Sequence, residues 1–213
     1  MNKLLLEAHA FLRDGDFEYA ICGGFALDLF TGRDMRIHGD IDVCAFEKGK
    51  NAIVQHMVSN GWSIYEFQGQ GIVRLVNSIK DCQKGRNLMC LKSDCEIVKF
   101  YPCGKGDGYF LHKFFHTGIT DFNYVEFLFN TTNGSSFIFK GRIKRDLSKA
   151  ILYRDDIPYL SPELVLLYKA SDFEREWYQF DLEETIIAMN DEQKSWFYSS
   201  LDKLYPKGHA WRK

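Results

Sequence analysis

The chain has 213 residues, of which 46% are hydrophobic and 15% aromatic. This composition excludes extensive disorder and allows one or two domains with a buried core. The formal net charge of −2 argues against a protein that holds long nucleic acids by neutralising phosphates. No apolar stretch approaches the roughly 20 residues that span a bilayer, and the apolar run at 4–6 is too short for a signal peptide. We therefore expect a cytoplasmic protein without membrane or extended nucleic-acid binding, and the oligomeric state stays open.

The six cysteines lie at positions 22, 44, 82, 90, 95 and 103. No two of them form the CxxC pair that a zinc ribbon uses. Because no export signal is found, we expect a reducing compartment. Reduced, mostly buried thiols are therefore expected rather than disulfides.

Helical and strand patterns alternate in the first 60 residues. Apolar side chains recur at helical spacing near the N-terminus, whereas Ile41, Val43 and Ala45 alternate with Asp40, Asp42 and Cys44 in the period of a strand. The predicted elements are a helix over 2–13, a strand over 19–22, helical turns over 25–30, a strand around 41–45 and a helix over 48–60.

The middle of the chain is rich in strand patterns. Short apolar runs are separated there by Gly, Asn, Asp and Lys turns. The predicted strands cover 62–67, 72–76, 88–91, 97–101, 109–115 and 124–129.

The last third has helical signals. Ser161-Pro162-Glu163 is a strong helix start, a second helix is predicted over 179–189, and a third begins at Asn190 with Gln193 placed for a capping box. We therefore predict an α+β fold with an N-terminal part over 1–145 and a small helical part over 146–213.

The pair Asp40 and Asp42 is the first candidate for chemistry. Residues two apart on a strand point to the same face, so two carboxylates would stand side by side while Ile41 enters the core. Such like charges are costly unless a cation compensates them, and Mg²⁺ favours oxygen ligands. Taken alone, the short motif is more often a turn or a solvated strand edge.

Two further features favour a functional reading. Gly23-Gly24 follows a predicted strand and precedes a predicted helix, where backbone N–H groups favour phosphate; an ordinary tight turn is the alternative. Glu126 is a charge inside the apolar run 124–129, which is costly without a partner. That partner is either the same metal pair or a nearby Lys or Arg.

The sequence resembles the aminoglycoside 2''-nucleotidyltransferase and lincosamide nucleotidyltransferase group of the polymerase-β-like nucleotidyltransferase superfamily. The resemblance is strong over 18–46 and returns over 157–170 and 208–211. The segments that carry it are Gly23-Gly24-Phe25-Ala26-Leu27-Asp28, Arg36-Ile37-His38-Gly39-Asp40-Ile41-Asp42 and Ile157-Pro158-Tyr159-Leu160-Ser161-Pro162-Glu163.

This resemblance implies a mixed sheet flanked by helices, with the catalytic domain over 1–145. It implies that Asp40 and Asp42 bind two Mg²⁺ ions and that Glu126 is the third acidic residue. ATP or another nucleoside triphosphate would be the co-substrate. Asp94 and Glu96 are rival third carboxylates, but Glu126 is favoured because it lies in a clean apolar strand.

The supporting residues have structural alternatives. Gly23, Gly24, Arg36, His38 and Lys169 are predicted to bind the nucleotide. The alternatives are a salt bridge of Arg36 to an aspartate, a packed histidine at His38, and an exposed helical lysine at Lys169.

The acceptor site has one weak candidate, Asp181, which could instead cap a helix. Asp181 and Arg175 keep the spacing of a family motif, whereas Trp177 and Tyr178 replace its Lys and Asp.

The predicted function is transfer of a nucleoside monophosphate, AMP from ATP, to a hydroxyl of a small acceptor such as an aminoglycoside or lincosamide antibiotic. One alternative is a nucleotidyltransferase that acts on a protein or transfer RNA in a toxin–antitoxin or defence system. Another is a nucleotide-binding regulator without catalysis. The acceptor and the preferred base stay open, because fold-level analogy does not define a pocket.

Overall fold

The chain folds into a mixture of helices and strands, in a computed structural model that describes residues 2–115 and 120–212. This confirms the predicted α+β class. The helices are α1 Lys3–Arg13, α2 Gly23–Thr31, α3 Lys50–Ser59, α4 Leu147–Ala150, α5 Pro162–Lys169, α6 Tyr178–Ala188 and α7 Asp191–Leu204. The strands are β1 Tyr19–Cys22, β2 Asp42–Phe46, β3 Ser63–Gly69, β4 Ile72–Val76, β5 Leu88–Leu91, β6 Val98–Pro102, β7 Tyr109–Phe114, β8 Tyr124–Asn133, β9 Ser136–Phe139, β10 Ile143–Asp146, β11 Ile151–Arg154 and β12 Ile157–Leu160.

The chain divides into two compact units. The first contains residues up to 20 together with 36–131, and the second contains 21–35 together with everything from 132 onward. The predicted division into a catalytic part over 1–145 and a helical part over 146–213 differs from this one and stays a prediction. The difference arises because both 21–35 and 132–145 group with the C-terminal residues.

The first unit contains a mixed sheet with the strand order β2-β8-β5-β3-β4-β7-β6. Strands β2 and β8 are parallel, and the remaining neighbours are antiparallel. Ile53, Val54 and Met57 of α3 are buried in the core. All six strands predicted between 62 and 129 are present; β4 and β5 have the predicted bounds, and the largest shift is at the end of β8, which continues to Asn133.

This sheet curls, so that rings on strands that are not neighbours touch. Tyr65 of β3 stacks on Phe100 of β6 with ring centroids 4.3 Å apart. Phe114 of β7 meets Tyr124 of β8 edge-on at 5.8 Å. Side chains from both ends of the sheet therefore share one small apolar core, which includes Val73 and Met89.

The second unit has its own strands besides helices. Strand β12 pairs in parallel with β1 and antiparallel with β11, while β9 and β10 form an antiparallel hairpin. The predicted helices are present, and the capping box between Asn190 and Gln193 is confirmed. The strand pair β11–β12 was not predicted, because its strands have four residues each and precede a strong helix start.

Buried charges in the second unit are matched by opposite charges. The Arg145 side chain is 4% exposed and lies 2.6 Å from carboxylate oxygens of both Glu163 and Glu192. Its guanidinium also lies over the Trp196 ring, 4.7 Å from the centroid. This network joins β10 to α5 and α7.

All six cysteines are free thiols, and the expectation that they are mostly buried holds for three of them. Cys22, Cys44 and Cys90 are buried, and the other three are partly exposed. Within the described ranges, no helix combines the length and the apolar character needed to cross a membrane.

Candidate active site

The parallel strands β2 and β8 place two predicted carboxylates side by side. Asp42 and Glu126 are register partners, and the amide of Glu126 donates to the carbonyl of Ile41 at 2.9 Å. Partners in register on neighbouring strands point to the same face. Both side chains are partly exposed, whereas Ile41 and Val43 are fully buried. The alternation predicted for this strand thus brings the acidic face to a position that a ligand can reach.

Asp40 precedes β2 by two residues and is also partly exposed. Its charge acts on the same buried hydroxyl, that of Tyr124, as the charges of Asp42 and Glu126. The three predicted acidic residues therefore lie in one electrostatic neighbourhood.

Tyr124 is a site residue that the sequence reasoning missed. Its side chain is fully buried, and its hydroxyl donates to Glu126 Oε1 at 2.5 Å. Burial raises the pKa of Tyr124 well above its usual value of 10.0, and the negative charges of Glu126, Asp40 and Asp42 raise it further. The hydroxyl is therefore a permanent donor near neutral pH. The available signal was a tyrosine two residues before Glu126 on the same strand.

The thiol of Cys44, two residues beyond Asp42 on β2, is not a nucleophile. It is buried, and this burial raises its pKa to about 12. The amide Nδ2 of Asn130 lies 3.3 Å from its sulfur. Because a thiolate is the reactive form, Cys44 supplies packing next to the carboxylates.

The side chains of Asp42 on β2 and Glu126 on β8 supply the type of donor that a divalent cation prefers. These donors are carboxylate oxygens, the ligands that Mg²⁺ prefers, and Asp42 and Glu126 already share a face. Over 2–115 and 120–212, no three His, Cys, Asp or Glu side chains stand together as a compact metal-binding group. Neighbouring carboxylates repel one another when no cation compensates them. The predicted metal-binding role of Asp40, Asp42 and Glu126 stays a prediction.

The rival carboxylates lie elsewhere in the first unit. Asp94 and Glu96 are exposed and belong to the loop between β5 and β6. Neither lies on a strand that pairs with β2. The strand register therefore favours Glu126 as the third acidic residue.

Gly23 and Gly24 open helix α2 in the second unit. Gly23 has a φ of 63°, a left-handed conformation that side chains with a Cβ rarely adopt. Asp28 of the same helix is buried and accepts the amide of Met35 at 3.0 Å. A glycine turn at a helix start agrees with the sequence pattern, and its role in phosphate binding stays a prediction.

Arg36 and His38 lie in the segment that leads to Asp40. The Arg36 guanidinium donates to the Ile37 carbonyl at 3.2 Å, and His38 is 5% exposed. The packed position of His38 agrees with the alternative of a packed histidine. The nucleotide contacts of Arg36 and His38 stay predictions.

Lys169 and Asp181 form a buried ion pair in the second unit. Lys169 Nζ lies 2.9 Å from Asp181 Oδ2, with side-chain exposures of 7% and 0%. The ammonium also lies over the Tyr178 ring, 4.1 Å from its centroid. Lys169 is therefore not the exposed lysine that an amphipathic helix suggests. The predicted roles of Lys169 in nucleotide binding and of Asp181 in acceptor binding stay predictions.

Comparison with known proteins supports the resemblance. Residues 4–82 match the family model of aminoglycoside-2''-adenylyltransferase, a range that includes Gly23, Gly24, Asp40 and Asp42 but not Glu126. No curated protein sequence matches the chain.

Solved structures share the fold at low sequence identity. The chain is similar to a lincosamide antibiotic adenylyltransferase, LnuA, with lincomycin bound: identity is 15%, coverage is 89% of this chain and 98% of that one, and the TM-score is 0.55. It is also similar to ANT(2'')-Ia in complex with adenylyl-2''-tobramycin, at 12% identity, 94% and 95% coverage and a TM-score of 0.48. The family match supports the resemblance predicted from residues 18–46, and the similarity to the lincosamide adenylyltransferase shows a shared fold.

Proposed function

We propose that the chain is a Mg²⁺-dependent nucleotidyltransferase that moves AMP from ATP to a hydroxyl of a small acceptor and releases pyrophosphate. The observation that carries this proposal is the register of Asp42 with Glu126 on parallel strands, next to Asp40. The family match over 4–82 supports an aminoglycoside-like acceptor, and the fold shared with a lincosamide adenylyltransferase supports a lincosamide-like one.

In the proposed reaction, Asp40, Asp42 and Glu126 bind the divalent cation through carboxylate oxygens. Bound Mg²⁺ would neutralise charge on the triphosphate and lower the pKa of the attacking hydroxyl. Glu126, a partly exposed residue of β8, would receive the proton of that hydroxyl.

The proposed transfer forms one bond, breaks one bond and needs no further reactant. The acceptor oxygen forms a bond to the α-phosphorus of ATP, and the bond from that phosphorus to pyrophosphate breaks. Catalysis then depends on positioning and charge neutralisation, as in other phosphoryl transfers. The resemblance adds Gly23, Gly24, Arg36, His38 and Lys169 as proposed nucleotide-binding residues and Asp181 as a proposed acceptor-binding residue.

The test is incubation of the full chain with α-labelled ATP, Mg²⁺ and a panel of aminoglycosides and lincosamides. We expect pyrophosphate release together with label in a small product, and loss of both when EDTA removes the metal. No release with any acceptor would contradict the antibiotic assignment.

The same assay separates the alternatives. Label in the macromolecules of a lysate would indicate a protein or RNA target. Calorimetric binding of Mg²⁺–ATP without turnover would indicate a regulator.

A further inference from the structure

The Tyr124 hydroxyl is a buried polar group that the proposed chemistry does not use. It donates to Glu126 Oε1 at 2.5 Å, and the two residues lie two apart on β8, so both side chains point to the same face. A buried hydroxyl without an acceptor is costly. The contact is therefore expected to persist whenever the strand is folded.

The tyrosine ring is held from several sides. It belongs to the buried cluster formed with Val73 and Met89, and Leu91 of β5 lies directly opposite it in the sheet. The edge contact with Phe114 comes from β7, which reaches β8 only because the sheet curls. These contacts hold the Tyr124 hydroxyl in one position beside the partly exposed Glu126 carboxylate.

We propose that Tyr124 is a positioning residue, which holds the Glu126 carboxylate in the orientation that binds the divalent cation and receives the acceptor proton. This role presupposes the proposed function of Glu126. Tyr124 itself needs no contact with substrate, because it acts through one carboxylate oxygen. Partners of metal ligands in comparable positions change metal affinity or activity by about 10–100-fold when they are removed.

The substitution Tyr124→Phe tests this role, because it removes the hydroxyl and keeps the ring. Calorimetric titration of the full chain with Mn²⁺ measures metal binding independently of turnover. We expect the Mn²⁺ affinity to fall by about 10-fold and kcat to fall by about 10-fold or more. The KM for the acceptor should stay unchanged, since the acceptor does not touch the hydroxyl.

Tyr65→Phe is the matched control. Tyr65 lies on the same sheet face, opposite Met89, and stacks on Phe100. Among the described residues, no hydrogen bond of its hydroxyl is found. The control should keep the wild-type Mn²⁺ affinity and kcat, which separates the loss of the Glu126 contact from the loss of any tyrosine hydroxyl.

A second variant covers the case in which Tyr124→Phe folds poorly, as judged by its thermal unfolding midpoint. Glu126→Asp keeps the charge but withdraws the carboxylate from the hydroxyl. We expect it to weaken Mn²⁺ binding at least as much, because it also moves a proposed ligand. Adding Tyr124→Phe to Glu126→Asp should then cause little further loss, because the hydroxyl no longer reaches the carboxylate.

The measurements distinguish a failure of the positioning role from a failure of the proposed function. If Tyr124→Phe keeps the wild-type Mn²⁺ affinity, or if the losses of the two single variants add in the double variant, the positioning role is overturned. The proposed function then stands. If the wild-type chain binds no Mn²⁺ and releases no pyrophosphate, the proposed function fails and the positioning role fails with it.

Discussion

Two groups of opposite charges in the second unit contrast with one pair of like charges in the first unit. In the second unit, Lys169 and Asp181 form a buried pair 2.9 Å apart, and Arg145 lies between Glu163 and Glu192. In the first unit, Asp42 and Glu126 are neighbours of like charge on paired strands. Opposite charges that compensate each other stabilise a fold or define its geometry. Like charges placed side by side repel one another unless other groups compensate them, and we propose that Asp42 and Glu126 belong to the functional site.

The largest expected effect comes from Asp42→Asn, which removes one of the two like charges. We expect kcat/KM for nucleotide transfer to fall about 1,000-fold, equivalent to about 4 kcal/mol of transition-state stabilisation. The free energy of unfolding should change by no more than about 0.5 kcal/mol, because the Asp42 side chain is partly exposed and keeps its size in the variant. Steady-state kinetics and urea unfolding measure the two quantities.

Asp94→Asn is the matched control, since it makes the same chemical change in the exposed loop between β5 and β6. Its kcat/KM should stay at the wild-type value. Equal losses in both variants would show that the strand register does not define the active centre.

The next effect concerns stability and comes from Lys169→Met, which leaves Asp181 buried without its cation. We expect the free energy of unfolding to fall by about 3 kcal/mol, because an uncompensated buried charge is costly. The contact with the Tyr178 ring is lost as well. Urea unfolding at neutral pH measures the change.

A double variant sharpens this test. Lys169→Met combined with Asp181→Leu removes both charges and should recover much of the lost stability. A double variant that is less stable than Lys169→Met would show that Lys169 and Asp181 contribute to stability beyond compensating each other's charge.

The smallest effect concerns pH and the Arg145 network. Hydrogen bonding to Arg145 lowers the pKa of Glu192 from 4.5 to about 2, against the effect of burial and with help from Lys149. A lowered pKa in the folded state means that the stabilisation is present above about pH 4.5 and is lost as the pH falls toward 2.

Glu192→Gln should therefore destabilise the protein by about 1 kcal/mol or less at pH 7, because the carboxylate is half exposed. The difference from wild type should shrink at pH 3. Urea unfolding at both pH values checks it, and a difference that grows at low pH would contradict the assigned sign.

Local patterns predicted much of the fold. The alternation around Ile41 and Val43 identified β2, and the Asn190–Gln193 capping box placed the start of α7. These features depend on residues near one another in sequence. The short strands β11 and β12 were missed, although they pair with each other, and the further pairing of β12 with β1 joins residues more than 100 positions apart.

The candidate site was likewise predicted only where it depends on residues close together in sequence. The pattern placed Asp40 and Asp42 on one face and singled out Glu126 as a charge in an apolar run. It could not pair their strands, because periodicity does not determine strand order. The ion pair of Lys169 with Asp181 depends on how α5 and α6 pack, and the Tyr124 contact depends on burial. Neither could be deduced from residue spacing.

The second unit consists of two segments that are far apart in the sequence, so a ribosome completes it in two stages. Ile21 of β1 pairs with Tyr159 of β12, and roughly 100 residues of the other unit separate the two segments. At about 10 residues per second, a ribosome would need roughly ten seconds or more to supply the missing strand. During that interval, the nascent β1 edge and the apolar side of α2 would be exposed to chaperones.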